Sequence, residues 1–395
     1  MENASLSNIP QLSYRLLHQQ VLQWLSGLNP RRVQACLPLV AAFMAGLLWV
    51  RGAVTCTAIA AGGAFSHDAL NRLLIGPALQ GWLQMAALTM VNRMGGYLVI
   101  DDVVLDKTGR KIQGIHRLFS SSLDTTVLAL NVVVMGWTNG KVFIPLTFRF
   151  WKPPREKGSR LAFDGTPFRT KIELAIEMLG WARSRGFKPT AVLFDAYYLA
   201  DPVVARLKKF KWQWVSRLKS NRVLLVDGMK LQLKRWDALA EVGWARHRGA
   251  SERCVLPGWG EARVIALVGK HDKEPRYLIG SNPEWGRGRI ISLYGHRWDI
   301  EVSFRNTKQL VGLGDCQCRS FRAQENHVAL VMLGYLFVLA QARPKETAGD
   351  VIGRVKGAHA VISEIRSIQG VRPIKLQRRR GRRGAHEACA SVRAA

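Results

Sequence analysis

Two short apolar runs, each delivering a carboxylate at its end, constrain this chain more than any other feature. Tyr97-Leu98-Val99-Ile100 runs into Asp101-Asp102, and Ala191-Val192-Leu193-Phe194 runs into Asp195. Short apolar runs of this length, closed by acids, read as buried strands. Between them lie two β-rich stretches, Val127 to Trp137 and Lys141 to Phe150, joined through Asn139-Gly140, a hairpin signal. A helical pattern follows from about Thr170 to Arg185. After Asp195 come a helix through Leu207 and a strand-like segment from Trp212 to Ser216. Strand, hairpin, helix, strand, helix, strand is the order of an α/β fold with a mixed sheet and helices packed on its faces.

The flanks differ from this core. Residues 1–94 alternate apolar stretches with Asn29-Pro30, Gly62-Gly63 and Gly76-Pro77, the pattern of a domain of short helices. The apolar run from Leu37 to Val50 contains Pro38 and is too short to span a bilayer, which needs about 20 residues, so it reads as a buried helix. The core, residues 95–320, is interrupted at about 218–288 by short strand-like runs among Gly, Lys and Trp, the texture of a β-rich insertion. Residues 321–395 read as a helical region ending in a basic tail, with Lys375 to Arg383 too charged to pack. Six cysteines are too sparse for a disulfide scaffold, and Cys316-Gln317-Cys318 lacks partners for a zinc site, so the thiols are expected to be structural. No export signal is evident, and a cytoplasmic, non-membrane protein is the expectation.

Charge narrows the partner. With 58 Lys and Arg against 28 Asp and Glu, the formal net charge is +30, which suits a polyanion such as nucleic acid. The strand-end acids suit the same partner. Carboxylates on neighbouring strands can share Mg²⁺ or Mn²⁺, and two such ions about 3.5–4 Å apart support phosphodiester displacement. Taken singly, each Asp could equally close an ordinary turn.

A third acid sits in Tyr294-Gly-His-Arg297-Trp-Asp-Ile-Glu301-Val-Ser-Phe-Arg-Asn-Thr-Lys308. Helical periodicity returns Tyr294, Arg297, Glu301 and Lys308 to one face, placing an acid among two cations and a phenol suited to phosphate oxygens. A solvated face with an Arg–Glu pair would look similar. Trp298, Ile300 and Phe304 would anchor the helix.

The spacing of Tyr294, Arg297, Glu301 and Lys308, with two strand-end aspartates upstream, resembles the signature of bacterial insertion-sequence transposases of the IS-four type, within the DDE class that uses an RNase H-like fold. The resemblance covers about residues 95–320. It implies catalytic acids at Asp101 or its neighbour Asp102, at Asp195 and at Glu301, with Asp101, Asp195 and Glu301 holding two Mg²⁺ or Mn²⁺ ions. It implies DNA contacts from Tyr294, Arg297 and Lys308, with Lys107 a further candidate at the backbone. It also implies a DNA-binding helical N-terminal domain, double-stranded DNA as partner, both terminal repeats and target, and a homodimer assembled on DNA. The implied activity is cleavage at the element ends followed by strand transfer. A nuclease that never joins strands and a non-catalytic DNA-binding derivative are the rivals. Val103-Val104 stand after the paired acids where the family often has Thr.

Overall fold

The computed structural model describes residues 9–28, 36–50, 52–120, 124–226, 228–233, 251–267 and 275–354. The helical beginning is as expected: α1 (Ile9–Gly27), α2 (Leu37–Trp49), α3 (Cys56–Ala60), α4 (His67–Ile75) and α5 (Gln80–Met90) precede the first strand. Nine consecutive residues of α2, Val40 to Leu48, are buried, so this apolar helix is interior on every side. Ser66 caps α4, its hydroxyl accepting from the Ala69 N–H.

The sheet begins with β1 (Tyr97–Asp106), β2 (His116–Ser120), β3 (Thr125–Thr138) and β4 (Phe143–Trp151). Asn139 and Gly140 turn β3 into β4 as expected: Gly140 has a φ of +85°, and the Asn139 side chain accepts from the Lys141 and Val142 N–H groups. Helix α6 (Lys171–Ser184) opens with a capping box in which Thr170 and Glu173 satisfy each other's backbone N–H groups. Then follow β5 (Ala191–Phe194), α7 (Asp201–Phe210) and β6 (Trp214–Leu218). Strands β1, β5 and β6 run parallel, while β3 pairs antiparallel with β1, so the sheet is mixed.

The β-rich insertion is not a separate body. Strands β7 (Val223–Val226), β8 (Met229–Gln232), β9 (Ser251–Leu256), β10 (Gly260–Leu267) and β11 (Arg276–Gly280) continue the same sheet, because β11 pairs antiparallel with β6. The order becomes β2-β3-β1-β5-β6-β11-β10-β9-β7-β8, with β4 also on β3. Trp236 and Trp244 lie outside the described residues, as does the basic run from Lys375 to Arg383. Trp259 and Trp285 are buried, and Trp259 donates its indole N–H to Asp201.

The helix expected to carry Tyr294 to Lys308 is three pieces: α8 (Arg287–Gly295), α9 (Trp298–Asn306) and a π-helical turn, Thr307–Val311. Helix α10 (Phe321–Ala340) is long and apolar enough to cross a membrane, yet 83% of its most apolar window is buried inside the protein. It packs against α2, α4 and α5, so the N-terminal helices and α10 share one apolar layer with the sheet. Asn326, 1% exposed, fastens that layer. Its carbonyl accepts the Leu79 N–H at 2.9 Å and its amide donates to Leu74 O at 2.9 Å and Pro77 O at 3.0 Å, bracing the bend between α4 and α5. Asn326→Ala would strand these backbone groups away from water and is expected to cost roughly 2–3 kcal/mol in urea unfolding. A loss below about 0.5 kcal/mol would mean water replaces the side chain.

Candidate active site

Parallel pairing aligns the two acid-bearing strands. The last pair between β1 and β5 is Ile100 with Phe194, so Asp101 and Asp195 emerge side by side at the same level. Both line an open cleft of about 780 Å³, together with Tyr294, Arg297 and Glu301. The structure therefore brings together five residues singled out from the sequence. A crevice beyond the carboxyl ends of parallel strands is where ligands bind in α/β sheets.

The acids are poised against each other. Burial, reinforced by the facing Asp195 charge, pushes the Asp101 carboxyl up to about 7, although Arg297 and the Asp102 N–H pull the other way. Burial also raises Asp195, against the Tyr197 and Tyr198 N–H groups that its Oδ1 accepts at 2.9 and 3.4 Å. Arg297 bridges the two halves of the site, donating to Asp101 Oδ2 at 2.9 Å and to Glu301 Oε1 at 2.6 Å. Burial opposes the Arg297 charge, but Tyr294, Glu301 and Asp101 outweigh it and hold the guanidinium protonated. Its carbon lies 5.4 Å from the Tyr294 ring centre.

Arg217, Lys219 and Arg276, at the junction of β6 with the insertion, line the far wall of the cleft. Sequence reasoning missed them because lysines and arginines are too common here to mark one wall. The donor set suits a hard divalent cation: Asp101 and Asp195 offer oxygen only, and their mutual repulsion is what a cation would relieve. Among the described residues no cluster of three or more acid, His or Cys donors is already gathered, and Glu301 is engaged by Arg297.

Asp102 points to the other face of β1, as strand alternation requires. There it accepts from Asn131, Lys171 and Tyr198. Lys308 and Lys107 depart from the expectation of DNA contacts. Lys308 lies within the π-helical turn Thr307–Val311, and its ammonium donates to Val104 O at 2.8 Å. Lys107 is 7% exposed and donates to Gly314 O at 2.7 Å and Cys316 O at 2.9 Å; burial lowers its pKa to about 8. Lys107 ties the end of β1 to the loop before α10 and is buried there.

Residues 54–238 match the family model described as DDE superfamily endonuclease, and residues 162–337 match that of the transposase DDE domain. Both models describe DDE proteins, and together they cover residues 54–337. The mixed sheet flanked by helices fits the RNase H-like fold of that class. The chain is 26% identical over 230 residues to the "Probable transposase for insertion sequence element IS701" of Microchaete diplosiphon, an alignment covering 55% of this chain and 58% of that protein. The two family matches overlap on β5, where Asp195 follows.

Proposed function

We propose that the chain is a DNA transposase that cuts at the ends of an insertion sequence and joins the freed ends to target DNA. One observation carries this reading: Asp101, midway along β1, and Asp195, just past the end of the parallel β5, converge in a cleft whose other walls carry Arg297, Arg217, Lys219 and Arg276. Paired carboxylates ringed by cations match a substrate whose own charge is negative and whose reacting atom is phosphorus.

In this reading Asp101, Asp195 and Glu301 hold Mg²⁺ or Mn²⁺. A pair of such ions, when bound, would activate the attacking oxygen and stabilise the departing one in each displacement. The chain's own groups do the rest. Arg217, Lys219 and Arg276 draw the phosphate backbone across the acids, and Tyr294 presents its hydroxyl to a phosphate oxygen. Arg297, now shared between Asp101 and Glu301, is positioned to turn one donor pair to phosphate. Lys308 and Lys107 hold the backbone of β1 and the loop before α10. The four-residue spacing of Tyr294, Arg297, Glu301 and Lys308 supports membership of the IS-four type branch. Residues 1–94 are the DNA-binding unit, 95–320 the catalytic unit, and 321–395 a basic region contributing to a dimer on DNA.

The test uses the element's own flanking ends. Mg²⁺-dependent nicking at those ends, and joining of precut ends to a target plasmid, are expected; nicking without joining would leave a nuclease only. Random DNA that competes as well as terminal-repeat DNA at 0.15 M salt would reduce the chain to a charge-driven binder.

A further inference from the structure

Asp102 lies beside the proposed catalytic acids but faces away from them, and three hydrogen-bond donors hold its carboxylate. Asn131 Nδ2 of β3 reaches Oδ2 at 2.7 Å, Lys171 Nζ of α6 reaches the same oxygen at 2.8 Å, and the Tyr198 hydroxyl reaches Oδ1 at 3.0 Å. Each donor comes from a different element. Lys171 stands at the first position of α6, where a cation opposes the helix dipole, so an anion opposite it offsets an otherwise unfavourable placement. Tyr198 is fully buried, and its phenol is fixed at that spot.

Tyr198 also belongs to the turn that holds the second acid. Asp195 Oδ1 accepts the Tyr197 and Tyr198 N–H groups, and Ser216 of β6 donates to Asp195 O at 3.1 Å. One residue therefore grips Asp195 by its backbone N–H and Asp102 by its hydroxyl. Asp101 is the chain neighbour of Asp102, and its own Oδ1 accepts the Asp102 N–H at 2.9 Å. The connection is closed: Asp101, Asp102, Tyr198, Asp195. Beyond the final pair of Ile100 with Phe194, β1 and β5 exchange no further ladder bonds, so the hydroxyl contact spans the stretch where the sheet no longer sets their spacing.

The geometry points to Asp102 as a positioning residue that sets the separation of the Asp101 and Asp195 carboxylates through Tyr198, with Lys171 and Asn131 holding it in place. It touches neither substrate nor the reacting atoms; it fixes how well two carboxylates can share one cation. This inference deepens the function proposed above and rests on it.

Outer partners of this kind change metal affinity or activity by about 10–100-fold when removed. Asp102→Asn keeps shape and loses the anion. Mn²⁺ binding to the DNA-free protein, followed by electron paramagnetic resonance, is expected to weaken about tenfold, and Tyr198→Phe to weaken it in the same direction by less. Adding Lys171→Met to Asp102→Asn removes the orphaned ammonium and is expected to recover part of the loss. A purely structural role would lower the melting temperature and leave the Mn²⁺ affinity of the folded protein unchanged, which would overturn the inference. Loss of Mn²⁺ binding as complete as in Asp101→Asn would also overturn it, by making Asp102 a ligand itself. Weakened Mn²⁺ binding in a protein that cuts no DNA would leave the inference standing and remove the transposase reading. Wild type that binds no Mn²⁺ would remove both.

Discussion

Asp195→Ala is expected to lower Mg²⁺-dependent cleavage of element-end DNA on the order of a thousandfold or more, since each 1.36 kcal/mol of lost transition-state stabilisation is about tenfold and a bound metal supplies several kcal/mol. Asp101→Ala should do the same, because the two carboxylates face one another and neither alone replaces the pair. Glu301→Ala should also be strongly impaired, with the added effect that Arg297 loses one of its two carboxylate partners. DNA binding moves the other way. Removing an anion from a cleft that receives phosphate lessens repulsion, so metal-free binding by Asp195→Ala should equal or slightly exceed wild type. Asp102→Asn should retain measurable cutting, separating the residue in the cleft from its chain neighbour behind it. Single-turnover cleavage with gel-shift binding measures both quantities on the same preparations. Cutting by Asp195→Ala within about tenfold of wild type would sink the carboxylate assignment.

The second large effect is on stability and follows from Asp101. Its carboxyl titrates at about 7 in the folded, metal-free protein, against about 3.9 in an unfolded chain. Between those values the folded state keeps a proton that the unfolded state has released. Stability contributed at this position is therefore highest below about pH 4, falls as pH rises to about 7, and is level above it. The full penalty is about 4 kcal/mol.

Asp101→Asn cannot ionise and escapes it. Its altered contacts with the Asp102 N–H and Arg297 add an offset that does not depend on pH. In chelator-containing buffer, the stability of Asp101→Asn relative to wild type should rise by roughly 2–3 kcal/mol between pH 5 and pH 8, read from urea unfolding. A flat difference would mean that Asp101 is ionised throughout and that Arg297 outweighs burial. Mg²⁺ competes with the same proton, so it should raise the wild-type melting temperature more at pH 8 than at pH 6.

The first-acid ambiguity shows where sequence reading stops. Asp101 and Asp102 are adjacent identical residues, and either suits a motif. Which one faces the cleft depends on the register of β1 against β3 and β5, since one residue of slip exchanges the faces. That register is set by apolar contacts from strands about 30 and 90 residues away. The Lys107 and Lys308 placements have a related cause. A lysine in a basic chain is expected at the surface, yet both ammonium groups end on backbone carbonyls more than 200 positions distant in sequence. The π-helical turn at Thr307–Val311 cannot be read from a periodicity that assumes 3.6 residues per turn. Arg217, Lys219 and Arg276 reach the cleft only because β11 returns beside β6, joining the insertion to the same sheet.

By itself the sequence determined what is local: the apolar runs that lead into acids, the Asn139-Gly140 hairpin, the helix starting near Thr170, the spacing around Glu301, and an excess of cations fitted to a polyanion. These are decided within a few residues, by side-chain periodicity, by turn chemistry and by charge. Only the tertiary structure decided which of two adjacent aspartates faces the cleft, which cations surround it, and how Tyr198 links Asp102 to the Asp195 turn. Such choices depend on pairing between distant segments, whose relative position is the outcome of burying one shared core.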